Sequence, residues 1–129
     1  MNKFEGDAAL CVFGAPVDQP DHAARALRAA VAIRDALGSI AGLDAGIGVS
    51  SGRAVAGHVG SARRYEYTVV GDPVNEAARL TELAKAHPGR IVVSEATVTA
   101  AGASSDGWRP GECVTLRGRS RPTQTFVPA

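Results

Sequence analysis

Alternating and clustered apolar positions at the start of the chain predict a β-hairpin. Met1 to Glu5 alternates between polar and apolar side chains, and Ala8 to Phe13 is an apolar run of strand length. Gly6-Asp7 stands between the two runs, and a glycine followed by aspartate is typical of a hairpin turn. The chain is therefore expected to open with two antiparallel strands.

The segment after this hairpin has helical periodicity. One apolar stripe consists of Ala26, Ala30, Ile33 and Leu37, with charged side chains on the opposite side. Spacings of three and four residues are typical of an amphipathic helix. We predict a helix from His22 to about Leu37, with Asp21 as its N-cap and Gly38 at its end.

The middle of the chain combines strands with a second helix. Residues 43–51 predict a strand, and the glycine-bearing run 52–60 predicts another, because glycines in a strand permit bulges or close backbone contacts. A ribbon strand beginning at Tyr65 then leads directly into a helix. This helix is expected to run to about Ala86 and to stop at His87-Pro88-Gly89.

The last third predicts a strand, a short helix and a closing hairpin. Arg90 to Val93 is apolar, and Ser94 is placed to cap a helix that fades near Gly102. Trp108 to Arg117 and Thr123 to Val127 then form the hairpin. Strands that alternate with helices indicate α/β or α+β layering, in which helices pack on a sheet.

Composition adds the class of protein. With 129 residues, 45% of them hydrophobic and 21% charged, residues 1–129 are expected to form a single globular domain. A formal net charge of +1 provides no basic surface for nucleic acid or an anionic membrane. We find neither a signal peptide nor a long apolar run, so no membrane segment is predicted and the cytoplasm is the expected location.

The richest polar pattern lies in YEYTVVGDPVNEAARL, from Tyr65 to Leu80. Asp72 is placed to cap the helix, and Pro73 suits the first helical position. Asn75 and Arg79 stand four residues apart and thus share one helix face. An amide and a guanidinium at a helix start suit an anionic ligand that bears hydroxyls, although an ordinary amphipathic helix would have the same pattern.

Together with Lys3-Phe4-Glu5-Gly6-Asp7, this stretch resembles the catalytic domain of class III nucleotidyl cyclases of the adenylyl cyclase type. The order also matches: a hairpin with Lys-x-x-Gly-Asp, a helix, a glycine-rich strand pair, a ribbon, and Gly-Asp-x-Val-Asn-x-Ala-x-Arg. The resemblance implies an α+β, ferredoxin-like domain whose antiparallel-rich sheet carries its helices on one face. It also implies conversion of ATP to 3′,5′-cyclic AMP and pyrophosphate.

The resemblance also implies a role for each motif residue. Asp7 matches one of two aspartates that hold a pair of Mg²⁺ or Mn²⁺ ions, for which carboxylate oxygens are suitable ligands. Lys3 and Thr68 match the positions that bind the purine, and this pair resembles the adenine-selecting one, because lysine can donate to a ring nitrogen and the hydroxyl can accept from the exocyclic amine.

The remaining matches concern the sugar and the phosphates. Asn75 matches the residue that orients the ribose. Arg79 matches the residue that stabilises charge at the phosphorus centre in the transition state. Arg119 lies near the family's basic residue that contacts the terminal phosphates, and this match is looser than the others.

One part of the family pattern is not found. Family members open with a strand that bears the second metal aspartate, followed by a phosphate-binding turn and helix, so the resemblance implies a domain truncated at its N-terminus. In the family, this strand lies between the strands that match Leu10 to Phe13 and residues 43–51. Three outcomes are expected: the two edges pair directly, a partner inserts a strand, or the chain is unstable.

These matches lead to three functional hypotheses. The first is an adenylyl cyclase domain that uses ATP and Mg²⁺ or Mn²⁺ at a dimer interface, with little or no activity alone because one metal aspartate is missing. The second is a degenerate pseudo-cyclase, or nucleotide-binding module, that pairs with an intact cyclase as a heterodimer. The third is an unrelated α/β domain with a chance likeness.

Overall fold

The computed structural model describes residues 3–5, 8–14, 19–40, 45–59, 66–116 and 121–129. Within these ranges the chain forms eight strands, three α-helices and a short 3-10 helix at Gly102–Ser105. In chain order the strands and α-helices are β1 (Lys3–Glu5), β2 (Ala8–Leu10), α1 (His22–Gly38), β3 (Ile47–Val49), β4 (Val55–Val59), β5 (Glu66–Val70), α2 (Asp72–Ala84), β6 (Ile91–Ser94), α3 (Glu95–Ala101), β7 (Trp108–Val114) and β8 (Thr123–Pro128). The predicted order of elements and the α+β class are confirmed.

The main sheet has four strands in the order β3-β6-β8-β7. The pair β3–β6 is parallel, and β8 runs antiparallel to both β6 and β7. Two antiparallel ribbons, β1–β2 and β4–β5, complete the strand pairings of the described residues. The predicted opening and closing hairpins and the antiparallel-rich character of the fold are therefore confirmed.

Within the residues that the structure describes, β2 and β3 do not pair with each other. In the described part of the chain, β2 forms its ladder with β1, and β3 forms its ladder with β6. Direct pairing of the two edges, the first of the three expected outcomes, is therefore not observed among the described residues. Strand β3 instead lies at one end of the four-stranded sheet.

Helices pack on both faces of this sheet. Successive residues of β6 point to opposite sides. On one side, Ile91 and Val93 pack with Leu27 of α1, and residues of α3 border the same cluster. On the other side, Val92 packs with Leu80 of α2. The expectation that all helices share one face is therefore corrected: α1 and α3 share a face, and α2 lies on the other.

Strand β3 and helix α2 are in close contact because β3 contains glycine. A Cβ atom on Gly48 would lie 2.4 Å from both the Ala77 carbonyl oxygen and the Thr81 nitrogen. The Gly48 N–H donates to Thr81 Oγ1 at 3.1 Å, and this hydroxyl donates to the Ala77 carbonyl at 2.8 Å. The second and third turns of α2 are therefore held directly against the β3 backbone.

The ends of α1 differ in detail from the prediction. Asp21 occupies the N-cap position but its side chain makes no capping hydrogen bond. Its carboxylate instead accepts from Arg25 Nε at 2.9 Å, and this bond lowers the pKa of Asp21. The helix includes Gly38, and Ser39 is the C-cap. Among the described residues, no helix combines the length and apolar character needed to cross a bilayer.

The short helix α3 depends on the predicted Ser94 cap. The Ser94 hydroxyl accepts from the Thr97 N–H at 3.3 Å and lies 3.0 Å from Thr97 Oγ1, and Thr97 is fully buried. We expect Ser94→Ala to lower the free energy of unfolding by about 1–3 kcal/mol, because it removes the cap and a partner of a buried hydroxyl. Urea denaturation measures this loss.

A second serine provides the control for that measurement. Ser39 is exposed, and its hydroxyl donates to the Ala36 carbonyl at 2.7 Å. We expect Ser39→Ala to change the free energy of unfolding by less than about 0.5 kcal/mol. Equal losses from the two substitutions would show that Ser94 has no special capping role.

Candidate active site

The candidate site begins where the ribbon β4–β5 joins α2. Gly71 makes this joint with φ of 153°, and a Cβ atom there would lie 3.0 Å from the Ala54 Cα. Gly71 is the N-cap, so Asp72 is the first helical residue and Pro73 follows in the first turn. The predicted cap is therefore shifted by one residue, because glycine adopts the required backbone conformation more readily than aspartate does. The Asp72 carboxylate still suits the positive end of the helix dipole.

Helix α2 places the two predicted catalytic side chains together. Asn75 and Arg79 are both exposed and lie one turn apart. In the part of the chain that the structure describes, no hydrogen bond or ion pair occupies the Asn75 amide or the Arg79 guanidinium. The predicted shared face is confirmed, and both groups are open to an incoming ligand.

The opposite face of α2 is buried and includes one acidic side chain. Its buried residues are Glu76, Leu80 and Ala84. Glu76 is 7% exposed, and its Oε1 accepts a hydrogen bond from the Ser50 hydroxyl at the end of β3. Because these three residues are buried against the rest of the domain, the polar face of α2 is directed toward solvent. The buried face combines apolar packing with the Glu76–Ser50 hydrogen bond.

Sequence reasoning missed both members of this contact. A signal was present, since Glu76, Leu80 and Ala84 follow one another at intervals of four residues. This spacing places an acidic residue on the apolar stripe of the helix. The partner, Ser50, is 26 residues away in the chain, and no local pattern in the sequence connects it to Glu76.

The other predicted site residues lie on β1 and β5 or outside the described residues. Lys3 lies in β1 opposite Leu10, and Thr68 lies in β5 opposite Gly57. For these two residues the structure describes the backbone alone, so their contacts with a purine stay predictions. Asp7 and Arg119 lie outside the described residues, and their roles as metal ligand and phosphate contact also stay predictions.

The sequence resemblance implies a site for Mg²⁺ or Mn²⁺ in this domain. Among the described residues, no group of three or more His, Cys, Asp or Glu side chains is arranged to hold a metal ion. The role of Asp7 in metal binding therefore rests on the sequence resemblance.

Comparison with known proteins identifies the family. The model of the adenylate and guanylate cyclase catalytic domain matches residues 3–127. The chain is 54% identical over 132 residues to the uncharacterized protein Rv1319c and 50% identical to the uncharacterized protein Rv1320c, both of Mycobacterium tuberculosis. These alignments cover 99% of this chain but 24% and 23% of the two relatives, so the chain spans about a quarter of their length.

Solved structures agree with this assignment and include enzymes for both purines. The guanylyl cyclase Cya2 is similar with a TM-score of 0.81 and 32% identity, over 99% of this chain and 68% of its own. The adenylyl cyclase CyaB from P. aeruginosa is similar with a TM-score of 0.79 and 28% identity, over 99% of this chain and 70% of its own. The chain therefore belongs to the adenylate and guanylate cyclase catalytic domains, the class III nucleotidyl cyclases.

Proposed function

We propose that this chain is an adenylyl cyclase catalytic domain that converts ATP to 3′,5′-cyclic AMP and pyrophosphate at the interface of two cyclase domains. The observation that carries the proposal is the outward-facing pair Asn75 and Arg79 at the start of α2. Both groups are exposed on a helix whose opposite face is buried, which is the arrangement expected of side chains that meet a substrate.

The reaction requires little covalent chemistry from the protein. The 3′-oxygen of ATP bonds to the α-phosphorus, pyrophosphate leaves, and the 3′-hydroxyl loses its proton. The Asn75 amide can hydrogen-bond the ribose and hold the 3′-oxygen in line with the phosphorus. The Arg79 guanidinium can donate to the oxygens around phosphorus as negative charge redistributes in the transition state.

The exposure of these two side chains also supports a site shared with a second domain. A substrate bound on an open helix face would remain largely in water, where electrostatic stabilisation is weak. We therefore propose that a homodimer or a heterodimer with another cyclase domain closes the site. In this arrangement the chain contributes Lys3, Thr68, Asn75 and Arg79, and its Asp7 serves a metal site. The cytoplasm, where ATP is abundant, stays the expected location.

A disabled partner tests the proposed reaction. The tester domain is the adenylyl cyclase domain of P. aeruginosa with its Asn and Arg equivalents replaced by alanine, so that it keeps its own metal ligands. Incubated with this chain, ATP and Mn²⁺, it is expected to yield cyclic AMP and pyrophosphate in equal amounts by chromatography. ADP or AMP as the main product would contradict the proposal.

Purine choice rests on Lys3 and Thr68, and we predict a preference for ATP over GTP. Lys3→Glu is expected to lower the ratio of kcat/KM for ATP to that for GTP by about tenfold or more, because the lysine donor to adenine is lost. This ratio is measured for the unmodified chain and for Lys3→Glu, each with the tester domain present. The control is Lys85→Glu, which reverses the charge of an exposed lysine that pairs with Glu82 at 3.2 Å. Equal preference for the two nucleotides in the unmodified chain would contradict the adenine assignment.

A further inference from the structure

Glu76 is a buried acid beside the two proposed catalytic side chains. It follows Asn75 directly and precedes Arg79 by three residues, yet it is 7% exposed whereas both of those are exposed. Burying a carboxylate is costly unless the group is hydrogen-bonded. The Ser50 hydroxyl supplies such a bond from β3. A hydrocarbon side chain could fill this space without that cost, so the carboxylate is expected to have a role beyond packing.

The position of Ser50 is fixed because the next residue, Ser51, is hydrogen-bonded on the other side of the sheet. Ser51 Oγ lies 2.8 Å from Thr97 Oγ1, and Thr97 Oγ1 lies 3.0 Å from Ser94 Oγ. Thr97 and Ser94 are buried at the start of α3. Because adjacent residues of an extended chain point to opposite sides, this hydroxyl cluster holds the end of β3 while Ser50 reaches α2.

Two hydrogen bonds join the β3 segment to α2 at different positions along the helix. The Gly48 N–H bonds to Thr81 Oγ1 at 3.1 Å and holds the later turns of α2. The Ser50–Glu76 bond lies nearer the start of the helix, next to Asn75 and one turn before Leu80. Apolar packing is non-directional, whereas a hydrogen bond weakens steeply when its angle changes. The rotation of the first turns about the helix axis is therefore expected to depend on the Glu76 bond in addition to the packing of Gly48 and Gly52 against α2.

We propose that Glu76 is a positioning residue for the cyclase reaction, acting through the Ser50 hydroxyl to fix the direction of the Asn75 and Arg79 side chains. This inference rests on the proposed function. Glu76 is buried and bonded to Ser50, so its effect is expected on the geometry of α2 and not on chemistry at phosphorus. A displacement of about 1 Å at reacting groups can lower a rate about a hundredfold, so a small rotation of α2 is sufficient.

Four variants assayed with the tester domain separate positioning from packing. Glu76→Leu replaces the carboxylate by a somewhat larger apolar side chain and removes the acceptor, and Ser50→Ala removes the donor. Each is expected to lower kcat about tenfold or more with KM changed less than about threefold, since the affected contacts act in the transition state. Glu76→Gln keeps an oxygen that accepts from Ser50 and is expected to restore most of kcat. The double variant Ser50→Ala/Glu76→Leu is expected to be no slower than Glu76→Leu, because the Ser50–Glu76 bond is already absent from that single variant.

Glu82→Leu is the matched control, since Glu82 is an exposed acid of the same helix that pairs with Lys85 on the surface. It should leave kcat unchanged. Glu76→Leu with an unchanged kcat, or Glu76→Gln as slow as Glu76→Leu, would overturn the positioning role. An unchanged kcat in Glu76→Leu would mean that packing alone orients the helix. A slow Glu76→Gln would mean that kcat depends on the charge of the carboxylate and not on its hydrogen bond.

Amide hydrogen exchange of the purified chain gives a result that does not depend on activity. The amides of residues 75–79 are expected to exchange about tenfold faster in Ser50→Ala than in the unmodified chain, and at the unmodified rate in Glu82→Leu. If the unmodified chain forms no cyclic AMP with the tester domain, the proposed function fails. Hydrogen exchange then still tests whether the Ser50–Glu76 bond holds α2. Unchanged exchange in Ser50→Ala would then show that Ser50 does not hold α2.

Discussion

Replacement of Arg79 by alanine is expected to lower the rate of cyclic AMP formation by about 100- to 1,000-fold, the usual effect of removing one donor to developing transition-state charge. Arg79 is exposed on α2, and its guanidinium is the cationic group that this helix presents beside Asn75. The loss should be in kcat more than in KM, because the guanidinium acts on charge that redistributes during the reaction. Initial rates with the tester domain and Mn·ATP measure it.

The same substitution should leave the fold intact, which separates catalysis from stability. Because Arg79 is exposed, Arg79→Ala is expected to change the free energy of unfolding by less than about 0.5 kcal/mol. Arg28→Ala in α1 is the matched control, since Arg28 is also an exposed helix arginine and lies on the other side of the sheet. An Arg79→Ala rate equal to the Arg28→Ala rate would remove Arg79 from the reaction.

Replacement of Gly48 by alanine is expected to destabilise the domain by about 3 kcal/mol, at the upper end of the usual cost of overpacking. The added Cβ would lie 2.4 Å from the Ala77 carbonyl oxygen and from the Thr81 nitrogen. Both atoms belong to the helix backbone, so the whole helix must move to relieve the contact. The Gly48–Thr81 hydrogen bond would lengthen as well. Guanidinium denaturation of the purified chain measures the loss.

Gly48→Ala should also lower kcat by more than the loss of folded protein explains, since α2 carries Asn75 and Arg79. Under conditions where Gly48→Ala is fully folded, we still expect a reduced kcat because the helix has shifted. Gly38→Ala is the control, as a Cβ there meets no atom within 4 Å. It should leave stability unchanged or raise it by up to about 1 kcal/mol. Similar stabilities for the two variants would mean that β3 and α2 are less closely packed than the structure indicates.

The sequence predicts the start of α2 well because its determinants are local. The ribbon ends at Gly71, a helix begins within one residue of the expected position, and a spacing of four residues places Asn75 and Arg79 on one face. The Ser94 cap of α3 is also predicted, since a cap involves residues only three apart. Patterns between residues three or four apart in the chain can be recognised in a single sequence.

Features that depend on distant contacts are not predicted. The periodicity of α2 marks an apolar stripe but does not say which side of the sheet that stripe covers, so the two-sided packing of Leu27 and Leu80 on β6 appears only in the structure. The Ser50–Glu76 bond joins residues 26 apart, and the strand edges are paired by long-range registers. The α2 cap lies at Gly71, whose backbone is close to Ala54, the residue before β4.

The most direct test of the central claim is whether this chain completes the site of the tester domain. The chain supplies Asn75 and Arg79, the tester domain supplies its own metal ligands, and the parental adenylyl cyclase is the positive control. With Mn·ATP, the mixture is predicted to form cyclic AMP well above the sum of the two proteins measured separately, and Asn75→Ala is predicted to abolish the gain. A mixture that never exceeds that sum at any ratio, while the parental enzyme is active, would contradict the claim that this domain contributes a working half of an adenylyl cyclase site.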